Sequence, residues 1–583
     1  MAQANNVRCP VDRDSALVVD RDETTATKQC VPRRARRGIF LLIALVVIAV
    51  STMAAYSFTD LMLAYDESTI LSGRKTQADM LVESGTELAR LMLAQSPTGR
   101  EEMGGVDNNP AMFQAINVVP DLDPQRRGNV TVIAPSIDAM GEFSGIRYGL
   151  QNESARLNLN VLTVIEENYT VGDEALQAAA DLGLADTDQA VVSDNIAREL
   201  LMSLPNMTED VADSILDWLD EDDEQRDFGA EYDYYNALPT PYGPKNGPLD
   251  SVEELLLVRG VTPELLFGAD TNRNGIIDPI EQTYITTGDQ STASLGWSAF
   301  LTVYSREGNK TADGADRVDV NAEDLEQLQA DLTDVLGNED WASFIVAYRV
   351  AGQSGAMAST GGDSDAAEAV SQASSGQAWS SSVLSTLDLS EGKVEVSQLL
   401  DLVGATVVVG EGNDQTVYQS PFANEPLSMA TYMPYLMGLL TSKDYDSMPG
   451  RINLNECPAE LIYGLPILEE ETALALVEAR GEQSESENRR FETWPLVEGI
   501  LTLEQMRQLL PLVTAGGDVF RAQVVGYFEG ANQSARVEVV IDATTINPDI
   551  VYWRSLSHLG RGFDVGTLGV RGEDGMQTLS IAE

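Results

Sequence analysis

The sequence predicts an α+β protein: one long N-terminal helix, a small antiparallel sheet, and a large α-helical domain of repeated helix-hairpin-helix-like units between the strand regions. Three observations predict it. An uncharged apolar run over residues 39–56 continues without proline, as a near-helical pattern, to about residue 95. Apolar and polar residues alternate at 130–133, 146–150, 519–528 and 536–541, as half-buried strands do. Between these strand regions, Arg156-Leu157-Asn158-Leu159-Asn160 returns as Arg451-Ile452-Asn453-Leu454-Asn455, and more loosely as Arg317-Val318-Asp319-Val320-Asn321.

A chain of 583 residues is about four times the usual domain length, so two to four domains are expected. Apolar residues make up 43%, enough for several cores. The net charge of −55 repels phosphate, since nucleic-acid affinity rests on Lys and Arg displacing counterions. His558 is the one histidine, so no zinc site with two His ligands can form. Of the three cysteines, Cys9 and Cys30 lie near the amino terminus and Cys457 stands alone, which excludes a disulfide scaffold. With acidic pairs everywhere and none singled out, a non-enzymatic protein is expected.

The apolar run starts directly after Arg33, Arg34, Arg36, Arg37 and Gly38. At about 1.5 Å per residue, residues 39–59 cross the ~30 Å hydrocarbon layer. Basic residues before it and Asp60, Asp66 and Glu67 after it place the amino terminus in the cytoplasm. The expectation is therefore a transmembrane anchor with the bulk of the chain outside the cytoplasmic membrane. A secretory signal cut near Thr52-Met53-Ala54, a plain signal anchor, and a prepilin-type leader cut between Gly38 and Ile39 all fit this segment. The long proline-free continuation favours the third, because a pilin-like subunit packs through such a helix. Gly73 and Gly85 are points where the helix could bend or break, and Pro97 ends it.

These signals divide the chain as follows: a leader (1–38), the transmembrane and pilin helix (39–97), a sheet region (98–155) that is loop-like to 127, and a first helical module (156–290). An additional helical module (291–350), a Ser/Gly-rich linker (351–382), an extension of the helical region (383–450), a second Asn-Leu-Asn module (451–515) and a C-terminal strand region (516–583) follow. Helices are expected at 211–219, 251–258, 324–349, 472–479 and 502–512, and a last strand at 550–553. Helix-hairpin-helix units often bind DNA, but acidic flanks at 217–224 and 469–471 favour hairpins that only pack together, with no nucleic-acid partner.

The sharpest chemical signal is Asp270-Thr271-Asn272-Arg273-Asn274-Gly275-Ile276-Ile277-Asp278-Pro279-Ile280-Glu281. Ca2+ takes six to eight oxygens, and a twelve-residue EF-type loop supplies them from positions 1, 3, 5, 7, 9 and 12, with Gly at 6 for the turn. Asp270, Asn272, Asn274, the Ile276 carbonyl, Asp278 (directly or through water) and Glu281 occupy those positions. The flanks depart from a paired sensor: 263–267 is short and Pro279 sits where a leaving helix would begin, so a structural staple is expected. A second acidic cluster, Asp217, Asp220, Asp222, Asp223 and Glu224 with Glu231 and Asp233, is a candidate for another ion but matches no defined loop. Such a run is more often a solvated face.

Taken together, these features resemble the general secretion pathway protein K family, the large minor pseudopilin of type II secretion. The resemblance rests on Arg36-Arg37-Gly38-Ile39-Phe40, on the two Asn-Leu-Asn modules, and on Ile215-Leu216-Asp217-Trp218-Leu219-Asp220 leading to Gly229-Ala230-Glu231-Tyr232-Asp233-Tyr234-Tyr235. Asn246-Gly247-Pro248-Leu249-Asp250-Ser251, continuing to Gly260, completes it. It implies a pilin core with an inserted helical domain of SAM-like repeats that carries calcium. It also implies a single-pass inner-membrane protein with its C-terminal bulk in the periplasm, a place at the tip of a periplasmic pseudopilus, cleavage by a prepilin peptidase, and partnership with minor pseudopilins I and J. Ile43 stands where most pilins keep a Glu, which fits a subunit with no neighbour above it. The 38-residue leader and the extra material at 283–450 depart from the family pattern. A membrane-anchored calcium-binding envelope protein and a helix-hairpin-helix DNA-uptake receptor are the alternatives.

Overall fold

The computed structural model describes residues 37–166, 196–284, 295–352, 376–410, 415–481, 486–571 and 577–578. Residues 1–36 of the expected leader, with Cys9 and Cys30, and most of the Ser/Gly-rich stretch lie outside the described residues. By packing, the chain forms two units, 1–70 and 71–583.

In the first unit the described residues belong to α1 (Arg37–Leu93), a helix that continues into the second unit. From Phe40 through Ile70 its large apolar side chains are exposed, and it is long and apolar enough to cross a membrane. Gly38 and Ile39 fall in its first turn. Neither Gly73 nor Gly85 breaks it, because surrounding residues keep helical hydrogen bonding and one missing Cβ costs only about 1 kcal/mol.

In the second unit α1 lies against an antiparallel seven-stranded sheet. Its strands are β1 (Ile116–Val119), β2 (Gly128–Ile137), β3 (Phe143–Tyr148), β4 (Gln151–Asn152), β5 (Val519–Phe528), β6 (Ser534–Asp542) and β7 (Asp549–Ser555). The order is β1-β2-β5-β6-β7, with β3 on β2 and β4 on β5. Four strands thus precede the helical domain and three follow it, so residues 153–518 are an insertion between β4 and β5. The stretch 98–127 is less loop-like than its prolines suggest. Pro97–Glu102 and Pro110–Phe113 form short helices capped by Ser96 and Asn109, and β1 pairs with β2. Proline is at home in the first turn of a helix, where its missing N–H is no loss.

The period-2 pattern of β5 decides what each face meets. Phe520, Ala522, Val524 and Phe528 turn to α1, where Ala78, Leu81, Val82, Ala89, Met92 and Leu93 form a helical stripe. Each fully buried Leu, Val or Met there contributes roughly 1.5–3 kcal/mol. Val525 and Tyr527 turn the other way and pack with Ile133, Phe563 and Leu568. Arg521 and Gln523 share this outer face but are buried as well, because the inserted domain covers them.

The insertion repeats one device three times. Leu157–Asn158 pairs in parallel with Leu301–Thr302, Val318–Asp319 with Leu440–Thr441, and Ile452–Asn453 with Val513–Thr514. In each copy the side-chain Oδ1 of the middle polar residue (Asn158, Asp319, Asn453) accepts the N–H two residues on. The final Asn then ties the turn to distant backbone: Asn160 to Leu249, Asn321 to Val396 and Ser442, Asn455 to Arg489 and Ala515. Parallel pairing requires a crossover, and here helices supply it. The middle unit, with helices Leu325–Leu336 and Glu339–Ala351, therefore closes only at residues 440–441. Where an α-helix was expected at 251–258, Val252–Leu257 is a 3-10 helix entered by a Ser251/Glu254 capping box. Cys457 is a free, fully buried thiol, pushed up to about 11 by that burial.

Candidate metal centre and the joint it sits on

The 270–281 loop is short-range in construction. Thr262 caps Pro263–Phe267, Gly268 ends that helix, and the chain turns at Arg273 and Gly275, both with positive φ (55° and 80°). Gly275 is required there twice over, since a Cβ would also lie 2.7 Å from Cγ of Pro135 on β2. Asp270 Oδ1 and Oδ2 accept the N–H groups of Asn274 (3.1 Å) and Gly275 (2.8 Å). Asn274 Oδ1 accepts the Ile276 N–H at 2.9 Å. Glu281 Oε1 accepts from Thr271 N and Oγ1 and from Asn272 N, while Oε2 accepts from Asp278 N at 3.0 Å. Asn272 Nδ2 donates to Asp278 Oδ2 at 2.6 Å.

Asp270, Asn272, Asn274, Asp278 and Glu281 are thus brought into one hydrogen-bonded ring, with Ile276 joining through its backbone. Two features fit a cation. Asn272 Oδ1 is buried without a hydrogen-bond partner. The Asp270 carboxyl is pushed up to about 6, first by burial and further by Glu281, although the Arg536 guanidinium lies near enough to interact with it. Among the described residues no three His, Cys, Asp or Glu side chains converge closely enough to hold an ion by themselves. A cation here would be held by a mixed set in which the asparagines and the Ile276 carbonyl count as much as the acids.

The second acidic cluster is not a simple solvated face. Glu221, Asp222, Asp223 and Glu224 are exposed, but Asp217 is 0% and Glu231 5% exposed. Asp217 Oδ2, Asp220 Oδ1 and both Glu231 oxygens lack hydrogen-bond partners. Burial, reinforced by neighbouring carboxylates, raises Asp217 to about 6 and Glu231 to about 7. Arg226 offsets part of this, reaching Asp217 at 3.4 Å, Asp220 at 3.1 Å and Glu166 at 2.9 Å. Gly229 lies against Asp217 Oδ2, and a Cβ would overlap it. The spacing Asp217, Gly229, Glu231 was the available signal, and it becomes legible only once those positions share a wall.

Sequence reasoning passed over the residues that join the insertion to the sheet. Glu153, in the 3-10 turn directly after β4, is fully buried and bound by Arg521 of β5 and by Thr302. Arg521 also donates to Glu538 of β6 at 3.0 Å. Beside this pair, Gln523 Nε2 donates to the Arg273 carbonyl (2.6 Å) and Arg536 to the Asn272 carbonyl (2.5 Å). Polar residues at alternate positions, Arg521 and Gln523 in β5 and Arg536 and Glu538 in β6, were the sign of this joint.

A helix long and apolar enough to cross a membrane runs on into an amphipathic half seated on an antiparallel sheet, and a helical domain is inserted in that sheet, which together make an α+β, pilin-like fold. Residues 155–267 match the family model of type II secretion system protein K in its first-domain form. Asp217 and Glu231 lie inside the matched segment, and the 270–281 loop begins just beyond it. The chain is also similar to a chain in the crystal structure of the GspK-GspI-GspJ complex from the enterotoxigenic Escherichia coli type 2 secretion system. That similarity is 12% identity over 84% of this chain and 99% of that chain, with a TM-score of 0.30. No curated protein matches the chain.

Proposed function

We propose that the chain is a minor pseudopilin of a type II secretion system, which caps the tip of the periplasmic pseudopilus and assists its assembly and protein export. The observation that carries the reading is the protein K match at 155–267, lying within a domain inserted into a helix-and-sheet core. The bulk of residues 153–518 and Ile43 in place of the pilin Glu support a terminal place in the fibre, where nothing adds above. Minor pseudopilins I and J are the proposed partners, from the resemblance to the K family, and α1 is the proposed inner-membrane anchor. The intact mass of the chain co-expressed with a prepilin peptidase tests this. A mature chain beginning at Ile39 is expected. An uncut chain, or one cut near Ala54, sinks the fibre reading and leaves a membrane-anchored calcium-binding envelope protein.

We also propose that the 270–281 loop holds Ca2+ through Asp270, Asn272, Asn274, Asp278, Glu281 and the Ile276 carbonyl. Bound there, calcium would add positive charge beside the carboxylates of Asp270, Asp278 and Glu281. Terbium luminescence and calorimetric titration of the purified chain should show binding that Glu281→Gln weakens at least about 10–100-fold, the loss that even an outer-shell partner brings. Unchanged affinity in that variant would remove this loop as the site. A second equivalent that survives Glu281→Gln would point to Asp217 and Glu231.

A further inference from the structure

The 270–281 loop touches more than its own ligands. Asn274 Nδ2 donates to the carbonyl of Gly562 at 2.8 Å. Arg536, fully buried, donates to the Asn272 carbonyl, and the backbone of Gly562 is pressed against the same guanidinium, where a Cβ would overlap it. Gln523 takes the Arg273 carbonyl, and Gly275 abuts Pro135 of β2. Four consecutive loop residues, 272–275, are therefore engaged by β2, β5, β6 and the segment at 560–569.

That segment covers the outer face of the sheet. Phe563 and Leu568 pack on Ile133, Val525 and Tyr527. Its far end is held independently of the loop: Tyr527 Oη donates to the carbonyls of Leu568 (3.0 Å) and Gly569 (2.6 Å), and Tyr148 Oη to that of Thr567 (2.7 Å). Its near end, at Gly562, rests on Asn274 and Arg536.

We propose that the 270–281 loop fastens the near end of the C-terminal segment 560–569 to the sheet, so that filling the cation site locks this segment in place. The inference rests on the calcium reading above. The geometric reason is that residues 272–274 serve both sides at once. Asn272 and Asn274 would point side-chain oxygens at an ion, while the Asn272 and Arg273 carbonyls and the Asn274 amide grip the sheet side and Gly562. Drawing ligands 1, 3, 5 and 12 onto one ion fixes the backbone between them, and binding free energy becomes local folding free energy. Asp270 and Glu281 without a cation repel each other across the same turn, which loosens the grip.

Hydrogen exchange of the full chain in detergent, with calcium and with a chelator, tests this peptide by peptide. Chelation should speed exchange about tenfold in the peptides over 270–281 and over 556–568, the change expected from losing about one net hydrogen-bonded contact. Both peptides should respond with one calcium midpoint, and Glu281→Gln should abolish both responses. A response confined to 270–281 overturns the fastening and leaves the calcium site standing. A response at 556–568 that persists in Glu281→Gln also overturns it, since the effect then arises elsewhere. If neither peptide responds and terbium does not bind, the calcium reading fails and the fastening with it. Coincidence of the two wild-type midpoints decides the matter on its own if the variant does not fold.

Discussion

Glu153→Gln should destabilise the folded domain by about 3 kcal/mol, read as a lower urea midpoint for the detergent-solubilised chain at neutral pH. The carboxylate sits where the chain leaves β4 for the insertion, with no exposure to water, bound by Arg521 and Thr302 and close to Arg156. Removing one partner of a buried ion pair costs about 3–5 kcal/mol, because the other charge is left uncompensated. Glu538 still reaches Arg521 in the variant, which places the cost at the lower end. Burial alone would raise the Glu153 carboxyl, but Arg521 and Arg156 outweigh it and hold the group below its ordinary value of 4.5. A carboxyl depressed in the folded state adds stability that is fully present above its unfolded value and is lost as pH falls through the folded one. The wild-type midpoint should therefore fall with acid below about pH 4.5 more steeply than that of Glu153→Gln. Equal midpoints at neutral pH would show that the joint draws nothing from this pair.

The parts of this fold written as periodic patterns were legible in advance. The apolar half of α1 and the strands at 130–133, 519–528 and 536–541 all stand where apolar spacing put them. So does the helix pair of the middle repeat, announced only by Arg317-Val318-Asp319-Val320-Asn321. What escaped has no period to show. Leu301–Thr302, Leu440–Thr441 and Val513–Thr514 are two-residue strands, and each exists only because an Asn-turn elsewhere in the chain offers it an edge. The outer face of β5 reads as solvated at Arg521 and Gln523, since alternation says which residues share a face but not what covers it. The candidate sites divide in the same way. The 270–281 loop is a local motif, so every residue of its hydrogen-bonded ring was visible. The Asp217–Glu231 wall depends on Gly229 letting two segments touch, and composition alone made it look like an ordinary charge run.

Gly526→Leu should cost about 3 kcal/mol or more and displace α1 from the sheet, the upper end of what an overpacked core exacts. Gly526 lies in the middle of β5 on the face that meets α1, and a Cβ there would stand 2.6 Å from the Ala78 carbonyl oxygen, 2.8 Å from Leu81 Cβ and 3.1 Å from the Val82 nitrogen. Two of these are backbone atoms of a helix and cannot swing aside as a side-chain end can. Gly85 meets the same sheet one turn further along, where a Cβ would lie 2.8 Å from Val524 Cγ1. The two glycines set the helix-to-sheet distance, although Gly85 reads from sequence only as a point where the helix could bend or break. If α1 is pushed outward, Leu81, Val82 and Ala89 lose their contacts with β2 and β5, while 270–281 on the opposite face keeps its own. Hydrogen exchange should rise along 78–93 and through β5 in Gly526→Leu, with terbium binding retained. Wild-type exchange along 78–93 would mean that α1 rests on the sheet more loosely than these distances require.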